Sequence, residues 1–179
     1  MPDMLVKLYH LPQMDREQIK KANYQIRRAM APDKLRVVDW VREHSGIFAA
    51  GECDVCFSHT PITCFIATRE EKIIGYACYD ATAPDFFGPT RVLDKEQGRG
   101  IGKQLLLASL WAMREEGYGY AIIGSVGPAA FYEKCVGAMV IPDSSPGIYE
   151  DFLGGIEKRK SREEQKDEDG IGTREGKEI

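Results

Sequence analysis

Three glycines at alternate positions stand in the segment Gln97-Gly98-Arg99-Gly100-Ile101-Gly102-Lys103, between an apolar run and a long amphipathic one. Downstream, Ile101, Leu105, Ala108 and Ala112 recur at helical spacing, Leu106, Leu110 and Met113 widen the apolar face, and Gly117 stands where a C-terminal cap belongs. This predicts a helix over 100–116. Upstream, Phe86 to Leu93 reads as a strand, with Gly88 and Pro89 marking an irregularity or bulge. Tyr120 to Gly124 reads as a buried strand, so the order strand, helix, strand implies a right-handed crossover and a locally parallel pair. Placed just before a helix, the glycine turn leaves amide N–H groups without helical partners at the positive end of the helix dipole. Such a turn suits a phosphate or pyrophosphate. Glycine count alone fits a ligand-free tight turn equally well.

The rest of the chain is read around that unit. Cys64 to Thr68 and Ile73 to Asp80 are apolar, aromatic and β-branched runs joined by Arg69-Glu70-Glu71-Lys72, the pattern of an antiparallel hairpin. Tyr24 to Met30 is a short strand, followed by a helix from about Pro32 that Gly46 ends. Residues 47–57 are ambiguous, with a second short helix as one reading. Pro128 to Lys134 reads as a short helix, and strands are expected near Ala138 to Ile141 and Gly147 to Leu153. Met4 to Leu11 is a short strand and Asp15 to Lys21 a helical turn capped near Asp15. Together they make residues 1–23 an N-terminal extension to a domain over residues 24–156. Residues 157–179 hold seven Lys/Arg and eight Asp/Glu without an aromatic residue. Such a segment cannot bury enough apolar surface to offset its ordering entropy, and it reads as a charged, solvated tail.

With 179 residues the chain has room for one well-buried core. A formal net charge of −4 and the lack of a basic block interleaved with aromatics argue against a nucleic-acid surface. No apolar run is long enough to span a bilayer and no signal-like start is present, so a cytoplasmic protein without a membrane partner is expected. Five cysteines, an odd number among mostly apolar neighbours, read as reduced and buried. Cys53, Cys56, His59 and Cys64 have a loosely metal-like spacing without a second ligand pair at a familiar distance, so no metal is expected.

Spacing tests the phosphate-loop alternatives. A dinucleotide fingerprint counted from Gly98 or Gly100 meets Lys103 or Leu105 where its third glycine belongs. A P-loop needs four residues between its glycines and Lys-Ser/Thr after them. Here three residues separate Gly98 from Gly102, and Gln104 follows Lys103. The turn instead resembles the pyrophosphate loop of the GNAT superfamily of acyl-CoA-dependent N-acetyltransferases, Gln/Arg-x-x-Gly-x-Gly/Ala, which Gln97, Gly100 and Gly102 match. Val92-Leu93-Asp94-Lys95-Glu96 resembles that family's strand end and connector. Phe131-Tyr132-Glu133-Lys134, then Gly137-Ala138, resembles its Tyr-Glu-Lys helix and following glycine. The resemblance spans about residues 24–153. Ser125-Val126-Gly127 departs from it where the family often has Asn.

The resemblance implies an α/β (α+β) fold: a mixed, mostly antiparallel sheet of six to seven strands flanked by helices, with a splayed parallel pair forming the acyl-CoA slot. It implies acetyl-CoA as donor and a primary amine as acceptor, joined by direct attack in a ternary complex. A non-catalytic acyl-CoA-binding or sensor module is the alternative. Dimers being common in the family, a homodimer is allowed. Val92, Leu93, Gln97, Gly98, Arg99, Gly100, Ile101, Gly102, Lys103 and Ser125 would then meet the donor, with the Leu93 amide turned to the thioester oxygen. Tyr132 would serve the departing thiolate. Asp80 and Asp85, at the ends of the strands flanking the cleft, are the candidate bases, with Glu150 weaker. Phe48, Phe57, Phe86, Phe87, Asp85, Tyr149 and the loop Pro142-Asp143-Ser144-Ser145-Pro146-Gly147 are candidate acceptor walls. Cys135, one helical turn after Tyr132, reads as packed rather than as a covalent acyl carrier.

Overall fold

A computed structural model describes residues 1–153, so the charged segment 157–179 lies outside the described residues. Seven strands form one sheet in the order β2-β3-β4-β5-β6-β1-β7. They are β1 (Met4–Lys7), β2 (Gln25–Arg28), β3 (Cys64–Arg69), β4 (Lys72–Tyr79), β5 (Phe86–Val92), β6 (Tyr120–Ile123) and β7 (Met139–Val140). The helices are α1 (Arg16–Lys21), α2 (Lys34–Cys56), α3 (Ile101–Glu115) and α4 (Ala129–Val136). Every described strand pairing is antiparallel except β5 with β6. This is the mixed, mostly antiparallel sheet that the sequence implied.

Alternation of side chains along the strands splits the core into two layers. One lies under α3 and α4 and includes Ala77, Tyr79, Phe87, Leu105, Leu106, Leu110, Met113 and Tyr132. The other lies under α2 and includes Val37, Val38, Val41, Cys53, Cys56, Cys64, Ile66, Tyr76 and Cys78. Successive β4 residues thus serve opposite layers, Tyr76 and Cys78 facing α2 while Ala77 and Tyr79 face α3. The β3–β4 hairpin closes through Glu70 and Glu71, with φ of 48° and 61°. Positive φ at both central residues matches the handedness that a two-residue turn needs to follow the strand twist. Helix α2 is broken at Gly46, whose φ of 87° and ψ of 177° are not helical. That break separates the first helix from the ambiguous segment 47–57, which is helical through Cys56.

Two readings change. Residues 1–23, taken as an extension, supply β1, which is inserted between β6 and β7 and carries Met4 and Val6 at 0% exposure. A four-residue strand gives too short an alternation to reveal whether it lies inside a sheet or beside it. Residues 147–153 do not form a strand: Gly147–Tyr149 is a 3-10 turn. Gly147 has φ of 60°, outside the extended region a strand would need.

Because β1 is internal, Met4→Ala should destabilise the protein by about 2–5 kcal/mol in urea denaturation, the range for emptying a core site. A change within about 0.5 kcal/mol would mean that β1 is accessory to the fold.

Candidate functional site

Strand β5 begins beside β6 and then leaves it. Phe86 pairs with Ile122 and Phe87 with Ile123, and no further β5–β6 pair forms. On its other side β5 stays joined to β4, but the register shifts between the Ala77–Thr90 and Tyr79–Phe87 pairs. Gly88 and Pro89 occupy that shift, so the bulge expected from the sequence is present. From there to Val92 the β6-facing edge of β5 has no strand partner.

A cavity of about 530 Å³ opens along this edge. Its walls include Phe87, Thr90, Arg91 and Val92 from β5, and Gln97, Gly98, Gly100, Ile101, Gly102 and Lys103 from the turn and the start of α3. Pro128, Phe131 and Tyr132 come from α4. At the turn, Gly98 and Gly100 have φ of 75° and 79°, in the left-handed region where glycine is favoured. Gly100 is also the N-cap of α3, with no side chain capping it. The first helical bond at this end runs from the Gln104 amide to the Gly100 carbonyl at 3.1 Å, so the amides of residues 101–103 are left for a ligand. With the helix dipole and Lys103 beside them, they form an anion site. Gly102, already helical, is open enough for a Cβ: it would stand 3.7 Å from Val92 Cγ2 and 3.8 Å from Phe131 Cζ, ordinary contact distances.

Helix α1 buttresses the turn from outside. Asp15 caps it by accepting from the Gln18 amide at 2.8 Å, and Gln18 Nε2 donates to the Arg99 carbonyl at 3.5 Å. A Cβ on Gly100 would strike the Gln18 side chain. A carboxylate, Glu96, also borders the cavity. Arg69 Nη1 donates to it at 2.7 Å and Arg99 Nε stands at 3.7 Å. Arg69 holds the Glu96 carboxyl below its usual range, with Arg99 and Lys95 adding to the effect. The two guanidinium groups offset a negative charge that would oppose anion binding.

Tyr132 closes the far end of the cavity. Its ring packs edge-on to Phe87 at 6.3 Å and to Phe131 at 5.1 Å. Burial, with a smaller contribution from Cys135, pushes its phenol up to about 12. It therefore stays protonated at neutral pH and can donate. The Cys135 thiol is itself raised by burial, the opposite of an activated nucleophile.

Several expected residues sit elsewhere. The Leu93 amide donates to the Ile74 carbonyl at 3.0 Å, so it belongs to the β4–β5 ladder and does not face the slot. By the alternation of that ladder, Thr90 and Val92 turn their amides to the open edge. Sequence reasoning missed Thr90 because the direction of a strand amide depends on register. Arg99 lies outside the cavity lining and acts on Glu96. Ser125 has φ of 47° and donates its amide to Asp3 Oδ1 at 2.7 Å, tying the β6 end to the N-terminal segment. Asp80 accepts from the Asp85 amide at 2.8 Å and the Tyr118 hydroxyl at 3.0 Å, so both its oxygens are engaged. Asp85 keeps a buried Oδ1 with no hydrogen-bond partner, and burial followed by the Asp80 charge raises its carboxyl. Neither aspartate lines the cavity.

Phe86 and Phe87, adjacent on β5, point to opposite faces of the sheet. Phe87 faces Tyr132, whereas Phe86 meets the Tyr149 hydroxyl over Gly124, where a Cβ would lie 3.0 Å from the Phe86 ring and 2.9 Å from that oxygen. Tyr149 continues to Phe152 at 6.1 Å between ring centroids, and Phe152 to Phe48 at 4.9 Å. Three of the expected acceptor-wall aromatics are thus linked across the sheet from the cavity. Phe57 packs instead against the α2 core.

Of the loosely metal-like set, Cys53 and Cys64 come together with Cys78, while His59 stands apart from that cluster. Hydrogen bonds from Cys64 and Cys78 bring the Cys53 thiol down to about 5. The bond to Cys53 pushes Cys64 up, and burial does so for Cys78.

Residues 60–135 match the family described as acetyltransferase (GNAT) domain. No curated protein matches the chain. One similar solved structure is a glucosamine N-acetyltransferase region in a fungal multi-domain β-N-acetylglucosaminidase. It has a TM-score of 0.65 at 11% identity, over 78% of this chain and 19% of that one. An N-acetyltransferase from Sphaerobacter thermophilus gives 0.55 at 18% identity, over 78% and 48%. A Drosophila protein gives 0.53 at 15%, over 78% and 47%. This chain therefore spans between a fifth and a half of the length of those proteins, and the likeness is one of fold.

Gly100→Ala should destabilise the protein by about 1–2 kcal/mol through left-handed backbone strain and weaken acetyl-CoA binding. Adding Gln18→Ala should relieve the side-chain collision and leave the backbone cost. Thermal unfolding and calorimetric binding of both variants check this; a Gly100→Ala protein as stable and as tight as the parent contradicts it. Arg69→Ala, which leaves Glu96 partly unneutralised, should weaken acetyl-CoA binding by about tenfold in the same assay.

Proposed function

We propose that this chain, whose residues 60–135 match the acetyltransferase (GNAT) domain family, moves an acetyl group from acetyl-CoA to a primary amine by direct attack in a ternary complex. The observation that carries the proposal is the convergence of three features on one cavity: the unpaired edge of β5, the uncapped amides at the start of α3, and the Tyr132 phenol. Acetyl-CoA supplies a thioester whose carbonyl carbon the amine attacks as the thiolate leaves.

The residues fit that donor by their chemistry. Amides of the turn and of residues 101–103, with Lys103, bind the pyrophosphate. The Thr90 and Val92 amides and the neighbouring carbonyls of β5 pair with the amide-rich pantetheine arm, as an added strand pairs with a free edge. The bulge at Gly88 and Pro89 separates β5 from β6 so that the arm can enter. Tyr132 gives its proton or a hydrogen bond to the departing thiolate, a task suited to a phenol that is neutral at physiological pH.

An alkyl amine with a pKa of about 10 must lose a proton before it attacks. We assign that step to Asp85, directly or through water, because its raised carboxyl and unpartnered Oδ1 suit proton acceptance. Asp80 positions it by accepting the Asp85 amide. The acceptor approaches over the Phe86, Tyr149, Phe152 and Phe48 face, opposite the donor, so that donor and amine meet through the gap between β5 and β6. A second reading, a non-catalytic acyl-CoA sensor, is favoured by one observation: Asp80 and Asp85 lie off the cavity lining.

CoA release from acetyl-CoA, measured against amines, amino acids, aminoglycosides, polyamines and Lys peptides, separates the two. Saturable turnover with at least one amine supports the enzyme. Saturable binding without turnover supports the sensor, and no binding defeats both. In the active case Tyr132→Phe should lower kcat by about 100-fold while acetyl-CoA affinity holds. Equal kcat would remove Tyr132 from the chemistry.

A further inference from the structure

Away from the acyl-CoA cavity, the α2 face of the sheet gathers four of the five cysteines. Cys64 and Cys78 stand opposite each other across β3 and β4. The adjoining Thr63–Tyr79 position carries a ladder bond, the Tyr79 amide to the Thr63 carbonyl at 3.0 Å. The Cys64–Cys78 pair is therefore of the non-hydrogen-bonded kind, in which side chains lie closest. Above them, Cys53 and Cys56 are one turn apart on the buried side of α2. All four have 0% exposure. The sulfurs of Cys53, Cys64 and Cys78 lie within 4.8 Å of one another.

From this convergence we propose that Cys53, Cys64 and Cys78 are ligands for one soft divalent cation of the zinc class, with Cys56 completing a tetrahedral set. Zinc–sulfur bonds of about 2.3 Å place the sulfurs of a tetrahedral site about 3.8 Å apart. The three sulfurs already in place need a contraction of about 1 Å at most to reach that spacing. Cys56 is held only by long contacts, 3.6 Å to the Glu52 carbonyl and 4.0 Å to the Tyr79 carbonyl, and a χ1 rotation releases it. Binding sends the protons still held by the thiols to solvent and gives a tetrathiolate complex of charge −2.

Tyr76 lies two residues before Cys78 on the same face of β4 and packs in the same cluster. None of the cysteine ligands lines the acyl-CoA cavity, so the cation is structural. It would fix the arm of α2 beyond the Gly46 break to the two strands beneath it. The site differs from the one that sequence spacing suggested, exchanging His59 for Cys78.

The test is an anaerobic titration of the full, reduced, metal-free chain with Co²⁺, followed by Zn²⁺ displacement. We expect one equivalent of Co²⁺ with intense sulfur-to-cobalt charge-transfer absorption, release of thiol protons, and a rise in thermal stability on Zn²⁺ addition. Cys64→Ser and Cys78→Ser should each weaken Zn²⁺ binding by at least about 100-fold, the upper end of what losing an outer-shell partner costs. Cys135→Ser should leave it unchanged. A folded parent protein that shows no charge-transfer band overturns the proposal. So does a Cys78→Ser protein that binds Zn²⁺ as tightly as the parent. Because the parent titration decides by itself, misfolding of a variant does not protect the idea.

Discussion

The two-pair contact between β5 and β6 is the constraint on which the rest of the site depends. A sheet that continued its ladder would satisfy every amide on β5 and leave nothing for a ligand. Here the bulge turns β5 away after Phe87, while its ladder with β4 resumes at Thr90 and holds the strand rigidly in place. The unpaired edge is thus backed by a fully bonded one. A strand free on both sides would be a mobile loop, whereas this one presents fixed donors and acceptors. The same divergence lets Phe87 and Phe86 serve different compartments, because neighbouring side chains on one strand face opposite sides of the sheet. Two adjacent residues divide the donor side from the aromatic side.

Electrostatic arrangement follows from that geometry. The start of α3 is aimed at the end of β5, and its unpaired amides contribute positive potential without needing a cluster of lysines. A chain with a net charge of −4 can in this way still present positive potential at the turn. The one carboxylate on the cavity wall, Glu96, is shared between Arg69 and Arg99. Arg69 also donates to the carbonyls of Asn23 at 3.0 Å and Ala22 at 3.2 Å. A single guanidinium therefore fixes the α1–β2 connection, the β3 end and the loop before the glycine turn. Binding surface and fold share the same side chain, so local charge changes there act on both.

What could be read from the sequence was local. The turn from Gln97 to Lys103, the helix after it and the β3–β4 hairpin are encoded by neighbouring residues, through glycine spacing, helical periodicity and a polar two-residue turn. The place of Tyr132 on the cavity wall was legible because it follows the turn at a distance the GNAT resemblance anticipates. What escaped was set by contacts between distant segments. The direction of the Leu93 amide depends on which β4 residue it meets. The joining of Cys78 to Cys53 and Cys64 depends on strand register and on how α2 lies over the sheet. Asp80 looked free as a residue type but is engaged by Asp85 and Tyr118. Residues 147–153 hold Ile148, Tyr149, Phe152 and Leu153, yet φ at Gly147 and the packing of Tyr149 against Phe152 turn the chain instead of extending it.

The position of β1 has a consequence for how the molecule is made. Its partners are β6, with Met4 opposite Ile123, and β7, with Met4 opposite Val140. More than a hundred residues separate each pair along the chain, so β1 has no partner until β6 and β7 have been synthesised. The β2–β5 meander and α3 close through short connections and can collapse early. The entry of β1 must wait and carries a large loop-closure entropy. The insertion of β1 between two later strands is then a late act of folding. In the interval the β6 edge stays open, making that edge the molecule's point of exposure to aggregation and to chaperones during biosynthesis.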